Sequence, residues 1–309
     1  MQLSLATTMP IMLAQIAAMF LMVAVGAICF RLKFITKEGS LVLTNIATYV
    51  STPAVIIRAL AVKFDPALLG DVLAVCAVTA VLMVISIAVA HAAYGFNGER
   101  VPQIGVIVSN MGFIGIPLVE NVIGSEYVVF VSACIAVQVL FIWTYVVWFY
   151  TRDASFVSAK KIVTNPVIVS AVLGFICFFC SFEPTGALDS FIDGMANLNT
   201  GLGMLLLGVF LAQSDLRALL RTRSIYKASF LRLIVVTGIT VLLLAVWPMS
   251  VPCKAVILIA FAAPCGTLSS MFPQLFGGDY RFGAGLSTIS TILSIVTMPL
   301  MLMFGLMLY

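Results

Sequence analysis

Charge is what this chain has least of. Asp, Glu, Lys and Arg make up 9% of its 309 residues, where an ordinary soluble domain carries about 25%. Histidine is nearly absent, with His91 standing alone. One histidine leaves no His/Cys set at metal-ligand spacing, and no nucleophile has a base set beside it. The chain is therefore not read as an enzyme, and neither a cofactor nor a metal is expected. The seven cysteines (29, 76, 134, 177, 180, 253 and 265) lie mostly within apolar runs. Cys177 and Cys180 come nearest to a redox or metal pair, but their phenylalanine neighbours make them small apolar packing residues. Long polar stretches are missing too, which excludes a sizeable extramembrane domain. The formal net charge of +4 is no nucleic-acid signal, because the basic residues sit in short joints between apolar runs.

Apolar residues are abundant, at 62% of the chain, with a mean hydropathy of +1.19. Runs of about 20 apolar residues, the length that crosses a bilayer, recur from end to end. Taken in order they predict ten spans: Met9–Phe30, Gly39–Leu60, Pro66–Tyr94, Val101–Ile123, Gly124–Tyr150, Asn165–Phe182, Ala196–Gln213, Ser229–Trp247, Ala255–Phe276 and Phe282–Tyr309. The first begins without a basic flank or cleavage site and reads as a spanning helix. The polar joint Arg152–Lys161 separates residues 1–155 from 156–309, five spans each.

Two spans are irregular. The fourth packs Asn110, Gly112, Gly115 and Pro117 into a few residues, and the ninth carries Pro264, Gly266, Ser269, Ser270 and Pro273. Such clusters weaken or open a helix. Interrupted spans in corresponding places of two halves point to an internal repeat with its binding site between them. With five spans per half, the second repeat starts on the opposite side of the membrane, so the expected fold is an all-α polytopic membrane protein of two inverted five-helix repeats. Placing the N-terminus outside gives one face Arg31, Lys33, Lys37, Arg100, Arg152, Lys160, Lys161, Arg217, Arg221, Arg223, Lys227, Arg232 and Arg281, against Arg58, Lys63 and Lys254 on the other. That bias makes the first face cytoplasmic and puts both termini outside. In this assignment no Asp, Glu, Lys or Arg stands at mid-membrane, so a bound anion is left to helix N-termini, amides and hydroxyls.

The run Asn110-x-Gly112-Phe113-x-Gly115-x-Pro117, the second-span pattern Pro53-x-x-x-x-Arg58, Asn165-Pro166 at the start of the sixth span, and Ser287, Thr288, Thr291, Ser294, Thr297 and Pro299 in the last resemble the auxin efflux carrier family in its short bacterial form. The resemblance implies secondary carriers of small organic anions, such as malate, malonate or auxin-like carboxylates, in the inner membrane of a bacterium. It also implies broken fourth and ninth helices that cross at the centre. Through the related bile-acid sodium symporters it implies an elevator-type movement of one domain against a scaffold, and a homodimer suits a fixed scaffold. A sodium-coupled symporter of a larger amphipathic anion is the alternative. Sodium, a proton or no coupling ion are all open.

Asn110 aligns with that family's crossover asparagine, and its amide is suited both to a carboxylate and to freed backbone. Gly112, Gly115 and Pro117 shape the break. Pro264 and Gly266 do the equivalent work in the ninth span, where Ser269 and Ser270 either line the cavity or bond back to their own helix. The resemblance brings Pro53, at an expected kink, toward the same cavity. Gln138 either faces it or holds two helices together. Thr288 and Thr291, three apart, share a face that either looks inward or packs. Glu120 and Glu126 read as solvated carboxylates near the outer interface and His91 as a loop-edge residue, with proton relay as the alternative for each. Asp189 and Asp193 read as loop acids, and Tyr145, Trp148 and Tyr150 as interfacial anchors.

Overall fold

The computed structural model describes residues 5–61, 66–153, 164 and 166–309. Its elements are helices joined by short turns, with no strand among the described residues beyond one isolated bridge. In order they are α1 (Leu5–Arg31), α2 (37–60), α3 (Pro66–Tyr94), α4 (Arg100–Ile107), α5 (111–122), α6 (128–151), α7 (Pro166–Phe179), α8 (Gly186–Ala212), α9 (223–246), α10 (Val251–Ala262), α11 (Leu268–Phe276) and α12 (Tyr280–Leu308). An all-helical answer follows from the solvent. In hydrocarbon every backbone N–H and C=O needs an internal partner, and a helix supplies them within one segment.

Among the described residues, six helical stretches are long and apolar enough to cross a membrane. They are Lys37–Arg58, Leu69–Tyr94, Ser125–Thr151, Gly186–Ala212, Arg223–Val246 and Tyr280–Leu308, and three shorter apolar helices accompany them. Side chains such as Leu21, Phe191, Val246 and Met307 project outward as apolar surface, which suits contact with lipid. By contrast α10 is buried on every side from Cys253 onward, and α4 from Pro102 onward. A helix apolar and buried all round belongs at the centre of a bundle, so α4 and α10 are surrounded by protein.

Helix contacts are tightest where glycine lets backbones meet. α1 runs along α8, where a Cβ on Gly26 would lie 2.1 Å from the Leu205 carbonyl oxygen and one on Gly208 1.9 Å from that of Val23. α7 lies along α2, with Gly174 against Leu60. Gly283 brings α12 onto α11, 1.9 Å from the Ser269 carbonyl oxygen by the same measure. These are the small-residue contacts of membrane bundles. Along α8, Gly208 makes such a contact while Gly201 faces open space.

Pro53 interrupts nothing outright. A wide π turn, Ala47–Ser51, precedes it, and Pro53 falls in the first turn of the continuing helix, where a missing N–H is tolerated. Several expectations need correction. The helix containing the seventh span starts at Gly186, not Ala196, so Asp189 and Asp193 are helical rather than loop acids. Both pair with Arg58, Asp189 at 3.6 Å and Asp193 more closely. Tyr145 and Tyr150 are not free interfacial anchors, for Tyr145 bonds to His91 and Tyr150 donates to the Gly277 carbonyl at 2.8 Å. Most consequentially, Arg232, counted above with the basic residues of the cytoplasmic face, is fully buried within α9. Asn165, Lys63, Lys160 and Lys161 lie outside the described residues.

Candidate functional site

α4 ends at Ile107 and α5 resumes at Met111, while α10 ends at Ala262 and α11 resumes at Leu268. The two interruptions meet as an antiparallel pair, Ser109 opposite Cys265. The Asn110 amide donates to the Pro264 carbonyl at 2.8 Å, and the Gly266 amide donates to the Val108 carbonyl at 2.9 Å. Buried backbone groups left without partners cost several kcal/mol each in hydrocarbon, so the remaining partners matter. Pro264 supplies no N–H, which ends α10. β-Branched Val108 takes an extended conformation at the end of α4. Gly112 and Gly115 fall one turn later than the interruption, inside a π turn that opens α5. Gly266 sits in a tight approach, since a Cβ there would lie 3.1 Å from Val108 Cγ1 and 3.2 Å from its carbonyl oxygen.

Side chains complete the accounting. Gln138 on α6 accepts from the Ser109 amide and hydroxyl, both at 3.1 Å, and returns its own N–H to the Ser109 carbonyl at 3.0 Å. At the second interruption the Cys265 amide donates to Ser290 Oγ at 3.1 Å. The Ser269 and Ser287 hydroxyls both donate to the Gly266 carbonyl, at 2.8 and 2.9 Å. Ser270 turns back on the Thr267 carbonyl at 2.7 Å. Arg232 donates to the Ala263, Val106 and Phe261 carbonyls at 3.2, 3.3 and 2.8 Å. Thr237 adds its hydroxyl to the Phe261 carbonyl at 3.2 Å.

Against this background one side chain stands out. Asn110 is 5% exposed, and its carboxamide makes no hydrogen bond among the described residues, although its backbone N–H and C=O are both engaged. It lines a small cavity with Thr288 and Thr291 on α12, Met19 and Val23 on α1, and Leu207 on α8. Thr288 Oγ1 is likewise buried without a partner, whereas Thr291 donates to the Ser287 carbonyl at 2.7 Å. Buried polar groups are normally satisfied, so an unpartnered amide and hydroxyl sharing one cavity are what a polar solute would complete. The cavity measures about 10 Å³, room for roughly one water.

The structure thus gathers Asn110, Thr288 and Thr291 at one cavity. Pro264, Gly266, Ser269 and Gln138 lie at the crossing itself, in backbone-satisfying roles, while Gly112 is beside it in open space. Pro53 is not among the residues lining the cavity. Glu120 and Glu126 are exposed. His91 is more than a loop-edge residue: it is half-buried in the last turn of α3, 2.6 Å from Gln103 Oε1 and bonded on its other side to Tyr145. Sequence reasoning missed Ser109, Ser290, Thr237 and above all Arg232. Its signal along the chain was slight, since Arg232 falls only three residues inside the apolar run that begins at Ser229.

Residues 150–302 match the family model described as membrane transport protein, which is of the auxin efflux carrier type. None of the curated proteins compared with the chain matches it. The matched region includes α10, the second interruption and most of α12. Together with the apolar helices, the match supports a multi-pass membrane protein, and the matched model is one of transport proteins.

Proposed function

We propose that the chain is a carrier for small organic anions, carboxylates in the first instance, working by alternating access. The observation that carries this reading is the Asn110 carboxamide, on a residue 5% exposed and without a hydrogen-bond partner among the described residues, facing a cavity shared with the unpartnered Thr288 hydroxyl where two helix interruptions meet. Amide and hydroxyl donors beside the opening turns of two helices suit a carboxylate.

The elevator form of alternating access draws support from the packing. α1, α2, α7 and α8 pack on one another, and α3–α6 with α9–α12 form a second group. The candidate cavity lies at their boundary, since α1 and α8 line it opposite Asn110 and α12. At one end the groups are tied by polar bridges, Gln274 with Thr44 and Ser40 at 2.6 and 2.7 Å and Tyr280 with Gln213 at 2.7 Å, and by the Phe210 ring against Tyr280. Beside them lie two open clefts of about 590 and 330 Å³, which share Lys37, Gly278 and Tyr280. They open on the face bearing Arg217, Arg221 and Arg281, the cytoplasmic face by the charge bias, and fit an inward route. The two interruptions fall at corresponding places in the two halves, which favours the inverted five-plus-five arrangement with crossing fourth and ninth spans.

The test is transport in proteoliposomes with malate, malonate and indole-3-acetate, run with and without sodium, a proton gradient and an imposed potential. Uptake or counterflow of at least one anion above protein-free vesicles is expected, and Asn110→Ala is expected to abolish it while leaving a monodisperse protein. Indifference to every anion under all conditions overturns the reading. The sodium arm separates it from a sodium-coupled symporter of larger amphipathic anions.

A further inference from the structure

Arg232 lies nine residues into α9, about 14 Å along its axis at 1.5 Å per residue, and is wholly buried. No carboxylate accompanies it: among the described residues the ion pairs are those of Arg58 with Asp189 and Asp193. Its guanidinium faces backbone instead, with Nε toward Ala263, Nη1 toward Val106 and Nη2 toward Phe261. Two of these carbonyls belong to the last turns of α4 and α10, and the third is the first residue beyond α10. In an unbroken helix Val106 would take the Asn110 amide and Phe261 the Cys265 amide. Here those amides go to Pro264 and Ser290, and Arg232 takes the vacated carbonyls.

The electrostatic consequence is larger than the hydrogen bonds. Each helix C-terminus carries roughly half a negative charge and each N-terminus roughly half a positive one. α4 and α10 bring two negative ends together at the crossing, and one guanidinium offsets about that sum. The opening turns of α5 and α11 leave from the same crossing with the opposite sign. Without Arg232, the negative ends would oppose those positive ones at close range. With it, the positive ends remain, on the stretch that begins with the unpartnered Asn110 carboxamide.

We infer that Arg232 is the positioning residue that gives the crossing its preference for anions, acting through the two helix ends it neutralises rather than by touching the solute. The inference rests on the carrier reading above. Its test compares each carboxylate with its neutral amide (malonate with malonamide, malate with malamide, indole-3-acetate with indole-3-acetamide) in binding to purified protein, for wild type, Arg232→Lys, Arg232→Gln and Arg232→Met. Wild type is expected to favour a carboxylate over its amide by tenfold or more, and the Lys variant, which keeps the charge, to remain within threefold of that ratio. The Gln and Met variants are expected to lose at least tenfold in the ratio, chiefly through weaker carboxylate binding. A folded neutral variant with the wild-type ratio overturns the role of Arg232 and leaves the carrier reading standing. Wild type that binds neither member of any pair overturns the carrier reading itself. Where neither neutral variant folds, the Lys variant decides: a ratio within threefold of wild type supports the charge, and a ratio near one overturns it.

Discussion

The two interruptions solve one problem with different chemistry. At the first, a single long amide, Gln138, clamps Ser109 from a neighbouring helix, and the next residue, Asn110, keeps its own carboxamide free. At the second, short hydroxyls from Ser269, Ser287 and Ser290, with Thr237 and the Arg232 guanidinium, take up the freed backbone groups. The second is closed and the first is open. Two paired interruptions therefore need not leave the same polar groups free. Neighbouring helices satisfy the backbone of both, and only the first has a polar side chain to spare among the described residues.

This contrast can be broken by experiment. The largest effect is expected from Gln138→Leu, which leaves the Ser109 amide, hydroxyl and carbonyl unpaired in a dry setting. At about 1–3 kcal/mol for each group left unsatisfied, thermal unfolding in detergent should fall sharply and solute binding with it. Gly266→Ala comes next. Its methyl group would press on Val108 at 3.1–3.2 Å, so a loss of about 1–3 kcal/mol is expected by the same measurement, as for other overpacked sites. Gly112→Ala, facing open space, is the control and should stay within about 0.5 kcal/mol of wild type.

Ser290→Ala removes the partner of one buried amide and should cost about 1–2 kcal/mol without abolishing solute binding. Apart from the Gly112→Ala control, the smallest effect on stability is expected from Asn110→Ala, under about 1 kcal/mol, because no internal hydrogen bond is lost. Its effect on carboxylate binding should nonetheless be the largest of the set. If Asn110→Ala proves as destabilising as Gln138→Leu, Asn110 is a structural cap and the contrast between the two interruptions disappears. If Ser290→Ala removes binding while remaining as stable as wild type, the open side has been assigned to the wrong crossing segment.

How much of this was legible beforehand depends on the range of the signal. Asn110 was readable because a polar amide among Gly and Pro in an apolar run is costly to bury unless something bonds to it. Pro264 was readable because the missing N–H acts on its own helix. Gly112 and Gly115 pointed to the right neighbourhood but not the right turn, since Val108 to Asn110 leave helical geometry only in exchange for partners on the other segment. The acids at 189 and 193 looked like loop residues because charge lowers the apparent hydropathy of a helix end. Arg58, distant in sequence, lets α8 run on through them.

The sequence by itself determined the class of molecule: hydropathy and run length depend only on which side chains are present, and a bilayer accepts helices of that composition. It also determined where the chain would weaken, because proline and glycine act on their own backbone. Only the tertiary structure decided which polar groups are consumed and which are left over. Gln138, Ser290 and Arg232 are distant in sequence from the backbone they satisfy, and nothing local distinguishes a partnered amide from a free one. The placement of Arg232 makes the point most directly. Read along the chain it was one more basic residue on the cytoplasmic side, and in the fold it is a buried cation held by carbonyls that exist as free acceptors only because two other helices stop beside it.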